Sequence, residues 1–258
     1  MPVLSSRSLT FLGSLGFALV CVATWQAIST TKVVSPIYLP APDTTFYALV
    51  DGFTKGALLS ATLYTIARML VGWMLACVAG IALGALIGSS APARVYLSLT
   101  LETLRPLPTS ALIPVFIAFF GLSEGMVLGA IAVGAVWPIM LSTMNGVTTV
   151  EPLLKDVAAS LQMSRMEFVR KIALPGAMPE ILAAARLCLT VSLVLAVVGE
   201  MLTGRSGLGQ WLLMSARNFA GPNLFAGVVV LGLIGYLGSL SIAAIERNML
   251  KDGGVHET

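Results

Sequence analysis

An all-α membrane protein with about six crossing helices is the fold this sequence predicts, and three observations carry the prediction. Charge-free runs occupy 8–31, 69–93, 106–123, 125–150, 187–199 and 218–245. Roughly 20 apolar residues in a helix cross the hydrocarbon core, so each run is a candidate span, the fifth by extension to Thr203. Charged residues make up only 10% of the 258 residues against 57% hydrophobic ones, and the mean hydropathy of +0.93 excludes an ordinary soluble domain. The cations are also unevenly placed. With the N-terminus in the cytoplasm, Arg7, Arg94, Arg105, Lys155, Arg165, Arg170, Lys171, Arg186, Arg247 and Lys251 lie inside. Only Lys32, Lys55, Arg205 and Arg217 lie outside, while Arg68 sits within the second span. That bias follows the positive-inside rule and places both termini in the cytoplasm. Backbone amides in lipid must pair within their own helix, so the spans read as helices.

The first span, 9–28, has a long apolar core and no small-x-small exit before Trp25 and Gln26, so it reads as a retained helix and not a cleaved signal. A proline-rich outer segment follows, extended to Asp43 and then forming a short interfacial helix. Span two, 58–88, carries Gly80, Gly84 and Gly88 at four-residue spacing, a stripe that admits a close neighbour. An internal helix contact is the preferred reading over a dimer face. Span three holds Pro106, Pro108 and Pro114, so it should start late or kink. Broken helices at membrane depth often line a cavity, which makes Thr109, Ser110 and Pro114 candidate pathway residues. Span four is 126–147, span five 181–203 and span six 223–245, with an amphipathic outer helix near 210–218 between the last two. No internal repeat of the inverted kind and no low-complexity linker divides the chain, and one membrane domain, 1–258, is expected.

Several chemistries are excluded. Cys21, Cys77 and Cys188 all fall inside spans at unrelated spacings, which suits packing and not a disulfide or metal set. The sole histidine, His256, lies in the polar tail, so His-based metal or triad chemistry has no partner. No GxxxxGK[ST] phosphate loop occurs, so no nucleotide or other cofactor is expected on this chain. A net charge of +3 gives no reason to expect nucleic acid. Ionisable residues at membrane depth are functional candidates by default. Arg68 can attract an anion or, as preferred, pair with a helix carbonyl or an acid. Glu200 stands near the outer end of span five, and Glu102 with Arg105 suggests an ion pair beside span three.

One stretch departs from the rest. "DVAASLQMSRMEFVRKIALPGAMPE", 156–180, together with Lys155 concentrates seven charged side chains. Pro152 fits the first turn of a helix, and Leu154, Val157, Ala158 and Leu161 recur on one face of it. Ser164 with Glu167 forms a capping box for a second helix with Phe168, Val169 and Ile172 on its apolar face, ended by Pro175. The insert is therefore two short helices that meet near Gln162 and Met163.

This insert resembles the cytoplasmic EAA loop of binding-protein-dependent ABC transporter permeases, E-A-A-x3-G-x9-I-x-L-P. Asp156, Val157, Ala158, Ile172, Leu174 and Pro175 fall on its positions with the spacing kept. Asp156 replaces the glutamate and Gln162 the glycine, where a left-handed turn would cost a glutamine something. "LRPLPTSALIPVFIAFFGLSEG", "GVTTVEPLL", "GEMLTGRSGLGQWL" and "LPAPDTTFYAL" are similar to the nitrate, sulfonate and taurine branch, over nearly all of 35–250.

The resemblance implies type I ABC importer architecture in a bacterial cytoplasmic (inner) membrane. It implies a non-catalytic permease that forms the path for a small, anionic solute. It also implies two ATPase subunits, a second permease copy in a homodimer, and an extracytoplasmic solute-binding protein, all within membrane lipid. In such permeases the coupling helix sits in an ATPase groove. The implied docking residues are Asp156, Val157, Ala158, Leu161, Gln162 and Met163, with Leu174 and Pro175 rooting the loop, about 151–178, in span five. Arg68, Thr109, Ser110, Pro114 and Glu200 remain the pathway candidates. The alternatives are a permease of the same architecture for another class of metabolite, an ion-coupled carrier, and an amphipathic loop that merely lies on lipid headgroups.

Overall fold

The computed structural model describes residues 6–31, 34–104 and 109–252. In chain order they form α1 (Ser6–Thr30), α2 (Pro42–Thr54), α3 (Leu58–Ser89), α4 (Ala91–Leu104), a 3-10 turn (Thr109–Leu112) and α5 (Ile113–Phe120). Then come α6 (Glu124–Thr148), α7 (Pro152–Ser160), α8 (Arg165–Phe168), a π segment (Val169–Ala173), α9 (Leu174–Thr203), α10 (Leu208–Arg217) and α11 (Gly221–Asp252). No strand occurs among the described residues, as the all-α reading requires.

Among the described residues, four helices are long and apolar enough to cross a membrane: Leu58–Ser89, Glu124–Thr148, Arg165–Thr203 and Gly221–Met249. The six expected spans differ from this picture in the third. α1 is helical over 25 residues, Ser6–Thr30, where the first span was expected. Span three is not one crossing helix. α5 has eight residues, roughly 12 Å at 1.5 Å per residue against a core of about 30 Å. Pro114 sits in its first turn, and Gly121 ends it at φ +61°. Pro114 suits the first turn of α5, which opens only after the 3-10 turn, the late start that the prolines of this span were expected to impose. Pro106, Pro108 and the expected Glu102–Arg105 pair lie outside the described residues and side chains.

The body is built on α3, α6 and α9, and small residues make this possible. A Cβ on Gly80 would come within 2.9 Å of Ile139, and one on Gly84 would strike the Met140 carbonyl and Thr143. One on Gly88 would meet Met144 and Val147. The glycine stripe thus faces α6 inside the subunit, the internal contact that was expected. Gly146 and Gly199 play the same part between α6 and α9, against Ala177 and Val127. Ala76, Ala135, Ala184 and Cys188 fill the seam. Large apolar side chains point the other way: Val78, Leu86 and Leu187 are each about two-thirds exposed. Lipid is as apolar as leucine, so close backbone approach and tight packing, with Ile131 and Ile139 fully buried beside the glycines, hold these helices together.

α2 begins at Pro42 and packs on α11 and α3, while α10 packs on α9 and α11. The amphipathic outer helix expected near 210–218 is α10. Pro175 does not end the second helix of the insert as expected. α8, the π segment and α9 run on as a continuous helical rod, Arg165–Thr203. Leu174 N–H donates to the Val169 carbonyl, five residues back. This wider turn relieves the clash a proline ring would otherwise make with the carbonyl four residues before it.

Candidate functional site

The insert begins with Pro152 in the first turn of α7. Lys155 Nζ donates to the Thr148 carbonyl at 3.1 Å and ties α7 to the end of α6. Helical spacing then sorts the remaining side chains. Ala158 turns inward and is buried, whereas Leu153, Val157 and Leu161 stay 63%, 44% and 68% exposed beside exposed Asp156. A cluster of exposed apolar side chains on a projecting helix is the mark of an interaction surface.

α7 ends in a Schellman turn. Met163 N–H donates to the Ala158 carbonyl and Gln162 N–H to that of Ala159, both at 3.0 Å. Gln162 stands at φ +52°, so the glutamine does adopt the left-handed turn. The expected capping box follows: Glu167 N–H donates to Ser164 Oγ (3.3 Å) and Ser164 N–H to Glu167 Oε2 (3.1 Å). Lys171 adds an ion pair to Glu167 at 3.3 Å. From there the rod runs without a break past half-buried Leu174 and exposed Pro175 into the membrane body. Its 39 residues measure roughly 58 Å, well beyond the hydrocarbon thickness of about 30 Å, so one end projects.

A second cluster lies at the other end of α9. Glu200 is fully buried there. Its carboxylate accepts from Arg68 Nη1 (2.8 Å), Thr65 Oγ1 (2.9 Å) and Gly209 N–H (2.9 Å). Arg68 also donates Nε to Glu124 Oε1 (2.6 Å) and Nη1 to the Ser206 carbonyl (2.6 Å). Arg205 reaches the other Glu124 oxygen at 3.3 Å. Thr65 accepts from Leu208 N–H at 2.8 Å. Gly207 and Gly209 are needed because a Cβ at either would collide with Glu200 or the Val197 carbonyl. Buried charges are tolerated when paired and hydrogen-bonded, as Arg68 and Glu200 are, whereas Arg205 Nε is buried without a partner. Arg68 is held by two carboxylates, which is the paired role preferred from sequence.

The remaining pathway candidates are placed differently. The Thr109 methyl group lies against Gly134 of α6, half-buried, and Pro114 is exposed in the first turn of α5. The backbone of Ser110 is in the 3-10 turn; its side chain falls outside the described ones. The structure joins Arg68 and Glu200, and neither Thr109 nor Pro114 is among their bonded partners. Sequence reasoning missed Thr65, Glu124, Ser206 and Gly209. Glu124 stands in the first turn of α6, after its N-cap Ser123, a common place for an acid that by itself signals no partner. The dense glycines of "GRSGLG" were the one available signal of a close approach.

Comparison with known proteins agrees with this geometry. Residues 77–251 match the family model described as binding-protein-dependent transport system inner membrane component. SsuC of Bacillus subtilis (strain 168), named as a candidate aliphatic sulfonates transport permease, is 34% identical over 90% of this chain and 84% of its own. The taurine transport system permease protein TauC of Escherichia coli (strain K12) is 29% identical over 95% and 90%. The nitrate import permease protein NrtB of Leptolyngbya laminosa is 26% identical over 90% and 85%. Among solved structures, the methionine ABC transporter MetNI in inward-facing conformations gives a TM-score of 0.64 at 22% identity, over 74% of this chain and 96% of its own. Helical body and projecting loop together define the class, an inner-membrane, multi-pass permease of an ABC importer, itself non-catalytic. The chain belongs to the binding-protein-dependent transport system inner membrane component family. Membership implies ATPase and binding-protein partners.

Proposed function

We propose that residues 151–178 are the element through which an ATPase drives this permease, and that the solute is a small anion of the sulfonate, taurine or nitrate kind. The carrying observation is α7: exposed Val157 and Leu161 with Asp156, a left-handed stop at Gln162, and a capped turn opening into one continuous rod. A rigid rod rooted in the core can convert a push at its end into movement of the body. Asp156, Val157, Leu161, Gln162 and Met163 make the ATPase contact. Ala158 supports it from beneath, and Leu174 with Pro175 forms the root. The relatives named for sulfonates, taurine and nitrate support the solute class. In this reading the whole chain is one permease domain, two copies form a homodimer, both termini and the insert are cytoplasmic, and a binding protein delivers solute from outside. Thr109, Ser110 and Pro114 border the path, and the Arg68–Glu200 cluster braces its outer end.

The test is co-purification of the detergent-solubilised chain with candidate ATPase subunits, for wild type, Asp156→Lys and Val157→Arg. Both positions are exposed, so melting temperatures should match wild type while the ATPase is lost. An ATPase retained by both variants would overturn the coupling assignment.

A further inference from the structure

A cavity of about 440 Å³ opens where α7 and α8 meet the ends of α3 and α6. This is within the range of small-molecule sites, roughly 300–1,000 Å³. Three basic residues contribute to its wall: Arg94 from α4, Lys155 from α7 and Arg165 from α8. No Asp or Glu does. Of the neighbouring acids, Glu151 and Asp156 are exposed and absent from the wall, and Glu167 is engaged by Ser164 and Lys171. Among the described residues neither Arg94 nor Arg165 belongs to an ion pair. Lys155 gives one hydrogen bond to the Thr148 carbonyl and keeps two donors. The wall also has an apolar part, to which Val147, Phe168 and Val169 contribute.

We infer that this cavity binds the phosphate of an anionic phospholipid, gripped by Arg94, Lys155 and Arg165 at the root of the insert. Convergent cations without a counter-charge leave positive potential that a phosphate oxygen neutralises with short, charge-assisted hydrogen bonds. The site lies at the ends of two membrane-crossing helices, Ser89 of α3 and Thr148 of α6, which is headgroup level. The apolar wall accepts the glycerol and upper acyl carbons, which favours a lipid over free phosphate. Basic pockets between helices on the cytoplasmic side of membranes take such headgroups. This placement rests on the proposed cytoplasmic insert. The bound lipid would tie Arg94 to Lys155 and Arg165, fixing α7 and α8 against the body and setting how stiffly the rod is seated.

The experiment uses the purified full chain in neutral detergent, with no ATPase present, so its failure is distinct from failure of the coupling assignment. Melting temperature and native mass spectra are followed while phosphatidylglycerol, phosphatidylcholine or inorganic phosphate is added. Phosphatidylglycerol is expected to bind and raise the melting temperature, and phosphatidylcholine is not. Arg94→Gln with Arg165→Gln should weaken phosphatidylglycerol binding roughly 25-fold, about fivefold per charge removed. Should the double variant fail to fold, Arg165→Gln alone, at an exposed position, should show the fivefold loss. Arg217→Gln, on α10 at the outer side, should change nothing. A phosphatidylglycerol response that survives loss of the two arginines overturns the proposal. A response equalled by inorganic phosphate does so too, and marks a free-anion site instead.

Discussion

At the scale of single residues, two positions carry cost that their surroundings repay. Gln162 holds φ +52° with a side chain that resists it. The left-handed conformation costs about 1–2 kcal/mol for a residue with a Cβ, and glycine loses part of that advantage to its freer unfolded chain. Gln162→Gly is therefore expected to stabilise the protein by about 0.5–1 kcal/mol, seen as a melting temperature higher by roughly 1–3 °C. An unchanged or lower midpoint would show that the Gln162 side chain makes a compensating contribution. Glu200 is the opposite case, a fully buried carboxylate whose partners are all supplied. Glu200→Ala leaves Arg68 short of a counter-charge and the 204–209 turn without its anchor. Removing one member of such a buried pair costs about 3–5 kcal/mol. Thermal unfolding in detergent should show that loss, with Glu200→Gln milder because Gln keeps hydrogen bonds to Thr65 and Gly209.

At the scale of elements, the contact of α3 with α6 is set by backbone approach. Gly84 touches the Met140 carbonyl and Thr143, so Gly84→Leu has nowhere to place its side chain unless the helices part. Overpacking of this kind costs about 1–3 kcal/mol or more. The expected outcome is lower yield of monodisperse protein and a depressed melting temperature. Leu86→Ala, at a site two-thirds exposed, should leave both unaffected. If Gly84→Leu is as stable as wild type, the stripe is not the contact described. The rod from α8 to α9 is a second case where local chemistry and continuity coexist. A capping box starts it, a π turn absorbs Pro175, and the core grips it along Ala177, Ile181, Ala184 and Cys188.

At the scale of the molecule, apolar side chains serve both inside and out. Small residues line the closest seams and Ile131, Leu189 and Leu193 fill the core beside them, while Leu187, Val78 and Phe119 face outward. One copy offers α3, α6, α9 and α11 to lipid or to a neighbour, and the proposed homodimer predicts that native mass spectra from gentle detergent contain two copies of the chain. A population that remains single at all concentrations would argue against self-pairing.

The sequence by itself determined the all-α membrane class, the internal glycine contact, the capping box and the two-helix insert, together with the family that insert announced. These follow from local rules, because hydropathy, helical period and cap chemistry act over a few neighbouring residues. Tertiary structure alone decided that Pro175 bends into a π turn without stopping the rod, and that Gln162 takes the glycine's conformation. It alone brought Thr65, Arg68, Glu124, Glu200 and Gly209 together. The partners of Arg68 lie 56 and 132 positions away along the chain. A charge buried near lipid must find its counter-charge in space, and the folded packing of α3, α6 and α9 supplies it.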